Sequence, residues 1–495
     1  MPNENSPLLP QSKSSQRVEY GVPMTTQTTI YDRFTPGRKR MILALVSLAG
    51  MIPLFVIGSF VPCIPQISRD LHSTGTVIKQ QPPAVLTCLF IVLTEAILFA
   101  ADGRRPVYLT VLPIFVGGSL GVSLARSAPQ LMLFRVVQAF GGGGGGMSVG
   151  AGIISDIYRS EERGAAMGFF FAASLLGPSL SPIVGGLAAS HASWRVLQLI
   201  LGMCGAALFV AKLLFLPETS WPRARGIDKL REAGDAGDVR WSYLQNPFKH
   251  VSILQSPNVL LLIFIPYMTF YAMMGLTTDL TLLIPLSYTI GARYNIKNEV
   301  VIGALLLPGG LASALGAPIA GRVSDRVVVG WRKKRNGRWV PEDRLRAALP
   351  GAFVLLPLSV LLSGVFTHYV PGTTGLVLNA VCLFVSGIGV RNTPTAQSMW
   401  FLTPIAAYNV DILRGRSAEV FAVTSALRHC ITALATATFL PLINCVGVLA
   451  TDAIAAGVAW TMLTCVAGRL LWITIRYEER MRAWVDVGYS VEWEH

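Results

Sequence analysis

The chain has 495 residues, 52% of them hydrophobic and 14% charged, with a formal net charge of +14 at pH 7. Soluble domains carry about a quarter charged residues, so this chain has too little polar sequence to cover a water-soluble globule. Its apolar residues fall instead into runs near 20 long, enough for a helix to cross roughly 30 Å of hydrocarbon, and the composition is that of a polytopic membrane protein.

Residues 1–40 are polar, so the apolar run at 41–65 reads as a first span and not as a cleavable signal, which would sit at the terminus itself. Spans 2 to 6 follow at 82–101, 107–125, 131–157, 164–189 and 195–217. A second set is expected at 258–290, 300–320, 347–366, 373–395 with an irregular extension to 411, 418–446 and 451–475. The chain thus divides into a tail (1–40), a six-span half (41–217), a central loop (218–257), a second half (258–476) and a closing tail (477–495). After the second span of each half comes a basic, acid-containing, glycine-bearing turn, "ADGRRPVYLT" and then "GRVSDRVVVGWRKKR". Repeated halves with a site between them are a common transporter plan.

Most of the 41 Lys and Arg residues lie in the tails, the central loop and the loops that share a side with them. By the positive-inside rule both termini are expected in the cytoplasm. Facing anionic lipid, that charge needs no nucleic-acid partner. The 7 cysteines lie in or at the ends of apolar runs, form no CxxC pair, and read as small core residues.

The fourth span contains "RVVQAFGGGGGGMSVGAGIISDIY", with six consecutive glycines. A linker does not fit, because the run interrupts a single span. A phosphate-binding loop requires Lys-Ser/Thr after the glycines, where this chain has Met147. A helical glycine in water costs about 1 kcal/mol relative to alanine. In lipid the backbone must bond internally, and the missing side chain permits close helix contact. Gly142, Gly146 and Gly150 recur every four residues as a smooth packing and sliding stripe.

In order along the chain, these segments resemble the major facilitator superfamily, and within it the fungal twelve-helix drug:proton antiporters, including the quinidine-resistance and organic-acid exporter-like branch. "FRVVQAFGGGGGGMSVGAGIISDIYRSEERGAAMGF" is similar to the family's fourth-span motif, and "GFFFAASLLGPSLSPIVGG" to its fifth-span antiporter motif. "LPETSWP" resembles the usual end of span 6, "GRVSDR" the second gating motif, and "YNVDILRGRSAEVFAVTSALRHC" the entry to span 11. The resemblance implies an all-α membrane protein of twelve transmembrane helices in two six-helix halves. Three departures stand out. "ADGRRP" joins Asp102 directly to Gly103, Ser174 and Ser181 stand where the family often has glycine, and "RNTPTAQSMW" interrupts span 10.

Ionisable groups inside hydrocarbon are costly and usually functional. Arg135 and Gln138 are three apart on span 4 and share a face; the resemblance implies that the Arg faces the central cavity and helps proton exchange. The alternative is a structural clamp on neighbouring carbonyls. Arg428 is a second buried cation, with His429 beside it, and Arg391 is a further candidate. Glu95 in span 2 and Asp279 in span 7 are the carboxylates that could carry a proton or form fixed ion pairs. By the same resemblance Asp102, Gly103, Arg104 and Arg105 read as the first gate, and Gly321, Arg322, Asp325 and Arg326 as the second. Gly177, Pro178, Pro182, Gly185 and Gly186 bend and thin span 5.

No enzyme signature, cofactor motif or metal-ligand spacing is present in the sequence. The expected function is secondary active transport, with protons exchanged against a small molecule and lipid as the other partner, by a monomer. Arg suits carboxylates, because its planar fork donates two parallel bonds to one. The expected cargo is therefore an organic acid, a dicarboxylic acid such as itaconate. A xenobiotic:proton antiporter is the alternative, and a non-transporting sensor on the same fold the alternative of another class. "ENSPLL", with Glu4 four residues before Leu8, fits an acidic dileucine sorting pattern. The plasma membrane is the expected location and the vacuolar membrane the alternative.

Overall fold

A computed structural model describes residues 31–72, 103–220, 307–336 and 372–387, with isolated positions between 343 and 457. Among the described residues the ordered elements are all helical. Helix α1 (Pro36–Phe60) leads through a 3-10 turn (Val61–Cys63) into α2 (Ile64–Asp70). The first half continues with α3 (Arg104–Leu124), α4 (Ala128–Ile157), α5 (Ser160–His191) and α6 (Trp194–Phe215). From the second half come α7 (Leu307–Lys334) and α8 (Gly372–Gly387).

Four of these helices, α1, α3, α5 and α6, are long and apolar enough to cross a membrane. Leu133, Met203 and Leu214 are large, apolar and exposed. In water such a surface would aggregate, and against acyl chains it is at equilibrium. The inward faces of α1, α3, α4 and α6, with α2, close over Phe60, Ile67, Phe115, Leu131, Trp194 and Leu197.

The first span ends earlier than the run at 41–65 suggested. Helix α1 stops at Phe60, because Pro62 and Pro65 have no N–H to continue the ladder. The 3-10 turn absorbs Pro62, and Pro65 fits the open first turn of α2.

The glycine run is helical throughout. A Cβ on Gly141 would lie 2.1 Å from the backbone N of Phe115, and one on Gly118 would lie 2.5 Å from Cα of Gln138. Helices α3 and α4 therefore meet backbone to backbone. On another face of α4, a Cβ on Gly146 would stand 2.8 Å from the carbonyl oxygen of Ala49 in α1. That carbonyl is the one that Pro53, within α1, leaves without its usual donor four residues on. Gly150 is closed off by Val46 and Phe170, each 2.7 Å from a Cβ there. Gly142, the remaining member of the four-residue stripe, is the loosest, with only the Phe115 ring at 3.2 Å inside the tight range.

Candidate functional site

A polar network crosses the first half at the level of Arg135. Arg135 Nη1 donates to Gln138 Oε1 at 2.9 Å. Gln138 Nε2 donates to Ser119 Oγ of α3 at 2.8 Å and to Gln198 Oε1 of α6 at 2.9 Å. With both amide hydrogens spent, the Gln138 oxygen must face the guanidinium, so the network fixes the amide's orientation. Gln138, Ser119 and Gln198 are buried, whereas Arg135 keeps intermediate exposure. Its guanidinium also lies 4.2 Å from the Phe60 ring centroid, a favourable cation–π stack. Among the described residues no carboxylate pairs with Arg135. The arginine is held by a side-chain amide and a ring, with guanidinium N–H groups left over.

At the end of the spans where Gly103 and Asp325 lie, α7 of the second half meets α5 of the first. Asp325 accepts from the backbone N–H groups of Gly164 at 3.0 Å and Ala165 at 2.8 Å. These lie near the start of α5, where the helix dipole favours a negative group. A Cβ on Gly321 would stand 2.1 Å from the carbonyl oxygen of Gly164, and one on Gly168 would stand 2.5 Å from that of Ala317. Arg322 lies over the Phe169 ring at 5.2 Å, and Arg332 pairs with Glu161. Arg326 is exposed. The two halves are closed on each other here.

The turn from Gly103 into α3 is organised by a residue outside it. Gly103 precedes α3 with φ +108°, a conformation that glycine adopts without strain. Glu218, just past α6, accepts from the N–H of Arg104 at 3.0 Å and of Arg105 at 3.1 Å. It also accepts from Thr219 and Ser220 N–H. Burial alone would raise the Glu218 carboxyl, but backbone N–H bonds from Ser220, Arg104 and Arg105 bring it below its ordinary value. Arg104 Nε pairs with Asp156 of α4 at 3.1 Å, and Arg105 Nη2 donates to the Leu213 carbonyl at 2.8 Å.

The glycines of the fifth-span motif lie against α1. A Cβ on Gly177 would be 2.9 Å from the Met51 carbonyl, and one on Gly185 would be 2.3 Å from that of Ser59. Pro182 and Gly186 are buried, and Pro178 lies within α5. Ser174 and Ser181 are buried too. Ser174 donates to the Phe170 carbonyl at 2.9 Å, and its Oγ occupies room that a Cβ on Gly50 would need, at 2.6 Å. Here the facing helix supplies the glycine, at Gly50.

Glu95, Asp102, Asp279, Arg391, Arg428 and His429 lie outside the described residues. Sequence reasoning did not single out Phe60, Ser119, Gln198 or Lys212, and it met Asp156 and Glu218 only as members of the span-4 and "LPETSWP" motifs. A lone polar residue inside an apolar run was the available signal for Gln198 and Lys212. For Phe60 and Ser119 the sequence carries no such mark.

Helices long and apolar enough to cross lipid, with a part-exposed arginine held among buried polar groups of the first half, define a polytopic membrane protein. A sequence model of the Major Facilitator Superfamily matches residues 43–436, and the chain belongs to that family. It is 32% identical over 198 residues to the MFS antiporter QDR3 of Candida albicans, covering 40% of this chain and 28% of the relative. It is 27% identical over 222 residues to Citrate exporter 1 of Aspergillus niger, covering 43% of this chain and 39% of that protein. The chain thus spans well under half the length of these curated relatives in the aligned stretches. Its fold resembles the crystal structure of the human organic anion transporter MFSD10, with a TM-score of 0.58 and 16% identity. That likeness covers 87% of this chain and 100% of the other, and at that identity the fold alone is shared.

Proposed function

We propose that this chain is a secondary transporter that exports a small organic acid, such as the dicarboxylate itaconate, in exchange for protons. The observation that carries the reading is Arg135. Its guanidinium is anchored on one edge by Gln138 and on one face by Phe60, with no carboxylate beside it among the described residues. A carboxylate bound to the free edge would receive the paired donors that its geometry requires, at a pre-oriented group that loses little freedom on binding. The likeness to a relative named a citrate exporter supports the same cargo class. The halves, 41–217 and 258–476, rock about the central site, with Glu95 or Asp279 carrying the proton. Both termini face the cytoplasm, in the plasma membrane.

The test is a flux panel in sealed vesicles: mono- and dicarboxylates beside cationic drugs, with wild type, Arg135→Gln and Arg428→Gln, with and without a pH gradient. Carboxylate flux driven by the gradient and lost in both variants, with folding intact, is the expected result. Cation transport without carboxylate transport overturns the cargo and favours the drug:proton alternative. Equal steady levels with the gradient collapsed overturn the coupling. Absence of any flux favours a sensor.

A further inference from the structure

Lys212 lies in α6, fully buried, and among the described residues its Nζ has no hydrogen-bond partner. What it meets is the face of Tyr108 in α3, with the nitrogen 2.8 Å from the ring centroid. Tyr108 is itself fully buried, and its hydroxyl donates to the Gly146 carbonyl of α4 at 3.2 Å. Gly146 in turn is the point where α4 touches the Pro53-freed carbonyl of Ala49 in α1. Contacts therefore run from α6 through α3 and α4 to α1. As mere filling, lysine is a poor choice: methionine occupies similar volume with no amine to desolvate. An ionisable side chain inside a span is retained for a reason.

We propose that Lys212 is a positioning residue for the glycine segment of α4: its amine, seated on the Tyr108 ring, holds the Tyr108 hydroxyl on the Gly146 carbonyl and so fixes the height at which α4 meets α1. An N–H directed into a π face is favourable whether the amine is charged or neutral. A small cavity bordered by Ala49, Pro53, Tyr108, Phe115, Gly142 and Gly146 leaves α4 room to shift when the relay is loosened. The part played by this relay in transport rests on the exporter reading above; the relay itself does not.

The test uses the full chain in lipid nanodiscs without substrate, and reads backbone hydrogen–deuterium exchange. Lys212→Met should speed exchange in the 141–150 segment by roughly five- to thirty-fold, the range that loss of one amine–ring contact supplies as it goes from exposed to desolvated. Tyr108→Phe, which removes only the hydroxyl, should speed the same segment. The double variant should exchange no faster than the quicker single one, because both cut the same relay. In vesicles, Lys212→Met should lower turnover about ten-fold with KM unchanged, since Lys212 is not part of the Arg135 network. Wild-type exchange in 141–150, changes confined to α3 and α6, or additive effects would each overturn the proposal. Should Lys212→Met fail to fold, Tyr108→Phe alone decides by the same readout. Normal exchange effects without any flux would leave the relay standing and remove the exporter reading.

Discussion

Asp325 places its two carboxylate oxygens on consecutive backbone N–H groups, those of Gly164 and Ala165, and so ties the second half of the molecule to the first. Only an ionised carboxylate offers two acceptors for two parallel donors, and charged hydrogen bonds of this kind are the stronger ones.

Asp325→Asn should therefore weaken this closure without unfolding the protein, because the amide nitrogen would face a donor. The expected outcome is a fall in turnover of about ten-fold, the factor that matches loss of about 1.4 kcal/mol from one charged bond. A cysteine placed on this side of the site should react faster with maleimide. Unchanged labelling and turnover would count against the contact.

The glycines of α4 should differ in what they tolerate. Gly146→Ala places a Cβ 2.8 Å from a backbone oxygen, which cannot swing aside, whereas Gly142→Ala meets only the Phe115 ring at 3.2 Å. Alanine at 146 should lower the melting temperature and alanine at 142 should change it little. Leucine at either position should be worse, since overpacking costs about 1–3 kcal/mol. Thermal melting by size-exclusion fluorescence checks the order, and equal melting of the two alanine variants would contradict it.

Glu218 makes stability depend on acid. Its carboxyl is held below the ordinary 4.5, so its contribution is complete above 4.5 and disappears as pH falls through the lower folded value. Glu218→Gln should melt lower than wild type at pH 7, with a cap of this kind contributing about 1 kcal/mol. The difference should stay constant down to about pH 5 and close in stronger acid. A gap that widened in acid would reverse the assignment.

Gln198→Leu removes one acceptor of the Gln138 amide, whose carbonyl orients Arg135. Leaving that buried N–H without a partner costs about 1–3 kcal/mol. The expected effect is a raised KM for the proposed carboxylate cargo, as the arginine loses its fixed orientation, with near-normal protein yield. An unchanged KM would show that Arg135 does not depend on the network.

Much of the helical order was legible, because lipid enforces long apolar runs and glycine or proline marks where backbones meet or bend. The α5 motif glycines are an instance: Gly177 and Gly185 stand where a neighbour's carbonyl leaves no room for a side chain. Contacts between distant residues were not legible. Nothing in "ADGRRP" reveals that Glu218 answers its two backbone N–H groups, and nothing around Gln138 reveals Gln198, 60 residues away. Such pairings are set by which spans become neighbours, and periodicity within one span carries no information about its neighbour. Likewise Ser174, which departs from the family's glycine, becomes intelligible only beside Gly50.

The acceptor for the first N–H groups of α3 lies 114 and 113 residues downstream, at Glu218. At about 5–20 residues per second of synthesis, roughly six to twenty seconds separate the two. During that interval the start of α3 has emerged and its cap has not. The first half is therefore completed from its far end: the ribosome must deliver the last residues of span 6 before span 3 is finished. A chain truncated anywhere before Glu218 would carry an unfinished helix into the quality-control machinery of the membrane, whatever the quality of the spans already inserted.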